Sequence, residues 1–191
     1  MIRYSSPRHK NYSGGNKKNA AKTARPVDHL DLSHALQITY RLLSLRAHSA
    51  YEIEKKLRER EFSAAVIKEA LEKLHELKYL DDDSFACQWA RNLAVNKLCG
   101  NRKIVTSLKE KGIAAHLIDK ALEEVRQEIP EEEAVSLLIK KKITGKNINL
   151  QNIKEKKKVF QNLLAKGFPA GLILNKLGKI PEDDFHGEDG Q

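Results

Sequence analysis

Lys154, Lys157 and Lys158 stand at i, i+3 and i+4, a spacing that on a helix sets three ammonium groups on one face. Lys156 lies between them, and Lys140, Lys141 and Lys142 precede them in a run of their own. Arg102, Lys103, Lys109 and Lys111 form a second, smaller basic group. Clustered ammonium and guanidinium groups hold phosphate oxygens or carboxylates, and they do so without breaking bonds. A charge run is also the ordinary solvated face of a helix, and spacing alone leaves both readings open for either group.

Residues that could do covalent chemistry are present but not assembled. His9, His29, His34, His48, His75, His116 and His186 are scattered, with no HExxH, no activating Cys or Ser neighbour and no glycine-rich phosphate loop. Cys87 and Cys99 are twelve apart and have no CxxC partner, so two reduced cysteines are expected rather than a zinc site. The carboxylates fall at helix starts or at Glu/Lys spacings typical of solvated faces. The expectation is a non-enzymatic protein with no cofactor and no metal. No run approaches the ~18 apolar residues of a membrane span, and the first residues lack a secretory apolar stretch. The chain therefore reads as a soluble, cytoplasmic, non-membrane protein.

The net charge of +9 is unevenly spread. Residues 1–27 hold seven Lys or Arg and no acid, whereas residues 28–130 hold 17 of each sign. Residues 131–181 hold 11 basic and four acidic side chains, and residues 182–191 hold five acids and no base. Basic character thus belongs to an N-terminal arm and to the last third of the chain.

The elements that must position these cations come from a threefold repeat. The hexads LREREF, LKEKGI and LLAKGF at 57–62, 108–113 and 163–168 are in register, with periods of 51 and 55 residues. Ile53/Ile104/Val159, Val66/Leu117/Leu172, Ile67/Ile118/Ile173, Leu71/Leu122/Leu177 and Leu74/Val125/Ile180 extend the register on both sides. Apolar residues at the same offsets in three copies mark a tandem array. With few aromatics, several small cores in series are expected rather than one large one.

Each unit reads as three helices, and nothing reads as a strand. In the first, Ala35, Leu36, Ile38, Leu42 and Leu43 make a helical stripe, Ser49 and Glu52 make a capping box, and a third helix covers about 63–77. The second opens at Asp81, Asp82 and Asp83, then continues through about 102–111 and 114–127. The third opens at Pro130 and three glutamates, and a longer internal loop through Gly145 and Asn149 accounts for its extra residues. The expected fold is all-α, an elongated tandem array of three three-helix repeats. Its divisions are a disordered basic arm at 1–30, repeats at 31–80, 81–129 and 130–180, and an acidic tail at 181–191.

Gly112 and Gly167 sit between the second and third helices, where a left-handed residue ends one helix. The first repeat has Glu61 there, so it is expected to turn differently. The short turn within 108–122 has the look of a helix-turn-helix. The helix after it offers Ala115, His116, Asp119, Lys120, Glu123 and Glu124, a partly acidic surface that phosphates repel and that does not suit base readout.

The run LKYLDDDSFA at 77–86, followed after Gly100 by Arg102-Lys103-Ile104 and by LKEKGI, resembles the RecX family of regulatory proteins. So do the helix end from Leu42 to Arg46 and the segments around Ser49 to Leu57 and Phe62-Ser63. The resemblance covers roughly residues 33–180; Lys78 and Glu61 depart from it, standing where the family pattern has glycine. It implies a cytoplasmic, monomeric modulator of the RecA recombinase, tied to homologous recombination, the regulation of DNA repair and the SOS response. Such a protein binds the RecA–DNA filament and mostly inhibits its growth, ATP hydrolysis and strand exchange. It meets single-stranded or duplex DNA weakly or through the filament. The competing reading is a general nucleic-acid-binding helical array. The eleven cations named above are the contact residues expected under either.

Overall fold

The computed structural model describes residues 32–146 and 148–178; the basic arm and the acidic tail lie outside them. Among the described residues the chain is all-helical. The helices are α1 (Leu32–Leu45), α2 (Ala50–Arg58), α3 (Ala64–Glu76), α4 (Asp82–Arg91), α5 (Asn101–Glu110), α6 (Ala115–Glu128), α7 (Glu131–Lys146), α8 (Ile153–Ala165) and α9 (Ala170–Leu177). Side-chain caps set several starts: Ser49 and Glu52 close a capping box on α2, and Ser63, Asp81 and Asn152 accept from the first turns of α3, α4 and α8. None of these helices is long and apolar enough to cross a membrane.

Most of the in-register apolar positions are buried, while Leu71, Leu117, Leu122 and Leu172 are half-buried at the edges of the cores. Ile53, Ile104, Leu57, Leu108 and Leu163 are fully buried, and Val159 nearly so. Fewer cores are built from them than the composition suggests. Ala35, Ile53, Leu57, Phe62, Ile67 and Leu74 form one core under α1 to α3. From Phe85 to Leu177 the buried residues of α4 to α9 form a second, continuous core. The second and third groups of helices are therefore one packed block, because Ile104, Leu108, Phe160, Leu163 and Phe168 belong to the same cluster.

Glu61 does not turn differently. Its φ of +64° matches Gly112 at +72° and Gly167 at +89°. The closing bonds match as well: Phe62, Ile113 and Phe168 donate to the carbonyls of Leu57, Leu108 and Leu163 at 3.3, 3.1 and 3.2 Å. These are the six-to-one bonds of a Schellman turn, and satisfying those carbonyls is enough to hold a glutamate in the left-handed region at a cost of about 1 kcal/mol. Lys78, also at positive φ (+57°), ends α3 in the same way.

Two further differences concern helix ends. The helix of the third repeat runs through Gly145 to Lys146, so the connection before α8 is shorter than expected from the glycine. After α4 the chain makes a π-helical turn over Asn92–Asn96 that no residue pattern announced.

Successive helix triplets dock by a corresponding pair of bonds, with a hydroxyl donor at the first junction where the second has a backbone amide. At the first junction Ser49 Oγ donates to the Lys111 carbonyl (2.7 Å) and the Ala50 amide donates to Asp82 Oδ1 (2.9 Å). At the second, the Gly100 amide donates to the Lys166 carbonyl (2.9 Å) and the Asn101 amide to Glu131 Oε1 (2.7 Å). In each case an orphan amide at the start of a second helix is satisfied by a carboxylate of the next triplet. Helix-start acids read from the sequence as macrodipole partners thus also cap the neighbouring unit. A methyl group at Gly112 would lie 2.4 Å from Tyr51 Cβ, and one at Gly167 would lie 2.4 Å from the Lys103 amide nitrogen. The left-handed turn is where one unit touches the previous one, and glycine is required there for space as well as for φ.

Candidate partner-binding surface

The expected contact cations are carried by three helices of the continuous block. On α5, Arg102, Lys103 and Lys109 are exposed. Lys140 and Lys141 are exposed on the last turns of α7, and Lys142 is half-buried. On α8 the exposed pair is Lys154 and Lys158, one turn apart, while Lys156 and Lys157 lie at the margin, half-buried toward the core side. The face that α8 turns inward is Val159, Phe160 and Leu163. Its stripe is therefore narrower than the i, i+3, i+4 spacing suggests.

Lys111 is not on that surface. Its ammonium lies 2.8 Å from Glu52 Oε1, with side-chain exposures of 13% and 17%. It sits over the Trp89 ring at 4.1 Å and near Phe85 at 5.7 Å from the centroid. Trp89 is fixed in turn by its indole N–H, which donates to Ser107 Oγ (2.9 Å). Arg46 donates to both Glu52 oxygens, to Oε2 at 3.0 Å and, at 3.1 Å, to the Oε1 that Lys111 also holds. Burial pushes the Glu52 carboxyl up, but the bonds and charges of Arg46 and Lys111 outweigh it and hold its pKa at about 2. Lys111 was expected to contact a partner; instead it joins two units of the array.

The structure adds cations that sequence spacing does not single out. The Lys103 backbone packs against Gly167, and Lys166 Nζ donates to the Lys97 carbonyl (2.8 Å), so Lys97, Lys103 and Lys166 gather at the second junction. The available signal was register: Lys166 occupies the place that Lys111 has in the preceding copy. Arg126 also converges there but is spent internally, donating to Asn101 Oδ1 (2.7 Å), the Cys99 carbonyl (2.9 Å) and the Ile129 carbonyl (3.1 Å).

Elsewhere the chemistry is sparse. Among the described residues no three His, Cys, Asp or Glu side chains come together as a metal site would require. Burial and the neighbouring Glu124 push the Cys87 thiol up to about 11, which keeps it protonated and weakly nucleophilic at neutral pH. On α6, Ala115, His116, Asp119, Lys120, Glu123 and Glu124 are exposed, and Lys120 is paired with Asp83 at 2.6 Å. This helix presents the mixed, partly acidic face that its sequence indicated.

Comparison with known proteins is consistent along the chain. The RecX first three-helix domain matches residues 35–74, and the RecX second three-helix domain matches residues 81–122. Regulatory protein RecX of Lactobacillus gasseri is 33% identical over 156 residues, covering 80% of this chain and 56% of that protein. The chain belongs to the RecX family.

Other RecX proteins extend the similarity. Regulatory protein RecX of Lactobacillus johnsonii is 36% identical over 158 residues, covering 80% of this chain and 57% of that protein. That of Chlorobaculum tepidum is 40% identical over 90 residues, covering 47% of this chain and 56% of that protein. The chain thus spans little more than half the length of these RecX relatives. A solved structure of regulatory protein RecX superposes with a TM-score of 0.65 at 25% identity, covering 76% of this chain and 72% of that one. RecX from Lactobacillus salivarius shares the fold, with a TM-score of 0.64 over 77% of this chain and 94% of that one.

Proposed function

We propose that this protein is a non-enzymatic regulator of the RecA recombinase that binds the RecA–DNA filament and limits its growth, ATP hydrolysis and strand exchange. Family membership supplies the partner class. The observation that carries the mode of action is the continuous core of α4 to α9, which holds the exposed cations of α5, α7 and α8 on one packed block. Contacts fixed on one body engage together, so weak individual attractions to phosphate or acidic protein surface add through effective concentration. The first helix triplet, with its own core and a polar junction, supplies a further unit along the filament. In this reading the repeats at 31–80, 81–129 and 130–180 act in series as a cytoplasmic monomer. DNA is met weakly or through the filament.

The test is the ATPase rate of RecA on single-stranded DNA while this protein is titrated in below the RecA concentration, with binding to bare DNA followed in parallel. Substoichiometric inhibition is the expected result. Absence of inhibition, beside tight DNA binding that falls steeply with salt, would replace the proposal with a general nucleic-acid-binding array.

A further inference from the structure

Between α7 and α9 lies an open cleft of about 260 Å³, lined by Ser136, Ile139, Lys140, Ile143, Thr144 and Lys176. Ile139 is buried and Ile143 half-buried, so the floor is aliphatic, while the two lysines are exposed. Ser136 Oγ is already committed to the Glu132 carbonyl (2.7 Å). No carboxylate lines the cleft. A fitting occupant therefore brings one apolar group flanked by carboxylates.

The chain carries such a segment. Residues 182–185 read Glu-Asp-Asp-Phe, at the head of a stretch with five acids and no base that lies outside the described residues. Lys176 is on α9 itself, two residues before Gly178, so the last described residue lies close to the cleft. Phe185 is seven steps along the chain from Gly178, and extended backbone covers roughly 23 Å over that distance. The eight residues of α9 are about 12 Å long. The whole cleft is within reach.

We propose that Asp183, Asp184 and Phe185 occupy the α7–α9 cleft of their own chain, with the phenyl ring on Ile139 and Ile143 and the carboxylates against Lys140 and Lys176. Tethering by a few residues gives such a contact a millimolar effective concentration, so a modest intrinsic affinity suffices. Lys140 is also one of the exposed cations used in the functional reading above. On that reading the tail competes with the partner for part of the face; the docking itself does not depend on it.

The experiment compares isoleucine-methyl NMR spectra of the full chain and its Phe185→Ala variant at low salt. Expected is a selective displacement of the Ile139 and Ile143 methyl signals on loss of the ring, with the other isoleucines unmoved and the shifts independent of protein concentration. An Asp183→Asn/Asp184→Asn variant should move the same two signals in the same direction. Unmoved Ile139 and Ile143 signals overturn the proposal, and concentration-dependent shifts overturn it in favour of a second copy as the source of the segment. RecA inhibition measured on the same variants reports separately: its absence in every variant sinks the functional reading and leaves the docking result standing.

Discussion

Lys111 Nζ and Glu52 Oε1 lie 2.8 Å apart across the junction between the first two helix triplets, and both side chains are largely shielded from water. The carbonyl of Lys111 accepts from Ser49 Oγ at the same place, so one residue joins the units through backbone and side chain together. Because α1 to α3 have a core of their own, these polar contacts couple them to the rest. Lys111→Met leaves a buried carboxylate with Arg46 as its remaining cation, and removal of one partner from a buried pair typically costs about 3–5 kcal/mol. Arg46 is half-exposed and compensates in part, so a loss of about 2–3 kcal/mol is expected. Urea unfolding followed by far-UV circular dichroism and by the single Trp89 measures it. An unchanged midpoint on both probes would show that the pair contributes nothing.

The same carboxylate predicts an acid limit. With a folded pKa of about 2 against the ordinary 4.5, Glu52 binds its proton less readily in the native state. Its stabilisation is fully present above pH 4.5 and is lost as the pH falls toward 2, an effect on the order of 2 kcal/mol once solvent screening of the partly exposed site is allowed for. Burial also lowers the pKa of His48, whose Nδ1 faces the Arg46 carbonyl at 2.9 Å, so a smaller loss with the same sign starts below 6.5. Thermal unfolding from pH 8 to pH 2.5 should therefore fall in two stages, and Glu52→Gln should flatten the lower one. A Glu52→Gln curve parallel to wild type throughout would remove the assignment.

The apolar register was readable because burial imposes its period on residue type: 53, 104 and 159 must be apolar wherever a helix turns them inward. Lys111 was misplaced for the complementary reason. An ammonium on a carbon stem is written with the same letter whether it meets solvent or a carboxylate of the neighbouring triplet, and only the docking angle decides. The merger of the last two cores depends on the same angle, since Lys103 and Gly167 meet only when the triplets pack. Glu61 misled differently. Glycine at 112 and 167 reflects two demands, φ and space; only the first falls on Glu61, where an ordinary side chain can bear it.

That distinction makes a paired prediction. Gly112→Ala combines a left-handed φ with a methyl group 2.4 Å from Tyr51 Cβ, and a loss of about 2–4 kcal/mol is expected as the first junction opens. Glu61→Gly relieves a comparable φ at a position outside the two junctions described above, so the gain should be no more than about 1 kcal/mol. Equilibrium unfolding of the two variants separates the contributions. Equal and small effects would mean that the close approach at Gly112 relaxes at little cost.

The final prediction concerns the exposed face of α8. Lys154 and Lys158 are one turn apart and away from Val159, Phe160 and Leu163, so reversing both charges should leave stability within about 0.5 kcal/mol. Binding to RecA filaments on single-stranded DNA should weaken several-fold at low salt, because reversal replaces two attractions by two repulsions. The difference from wild type should shrink as salt rises and the Debye length falls from ~10 Å at 0.1 M to ~3 Å at 1 M. Lys109→Glu, on α5 of the same packed block, tests whether the surface is shared between helices. If it reproduces the salt-dependent loss, α5 and α8 meet one partner together. A normal Lys109→Glu beside a weakened α8 variant would confine the contact to the third repeat, and two unaffected variants would take this cationic face out of the mechanism altogether.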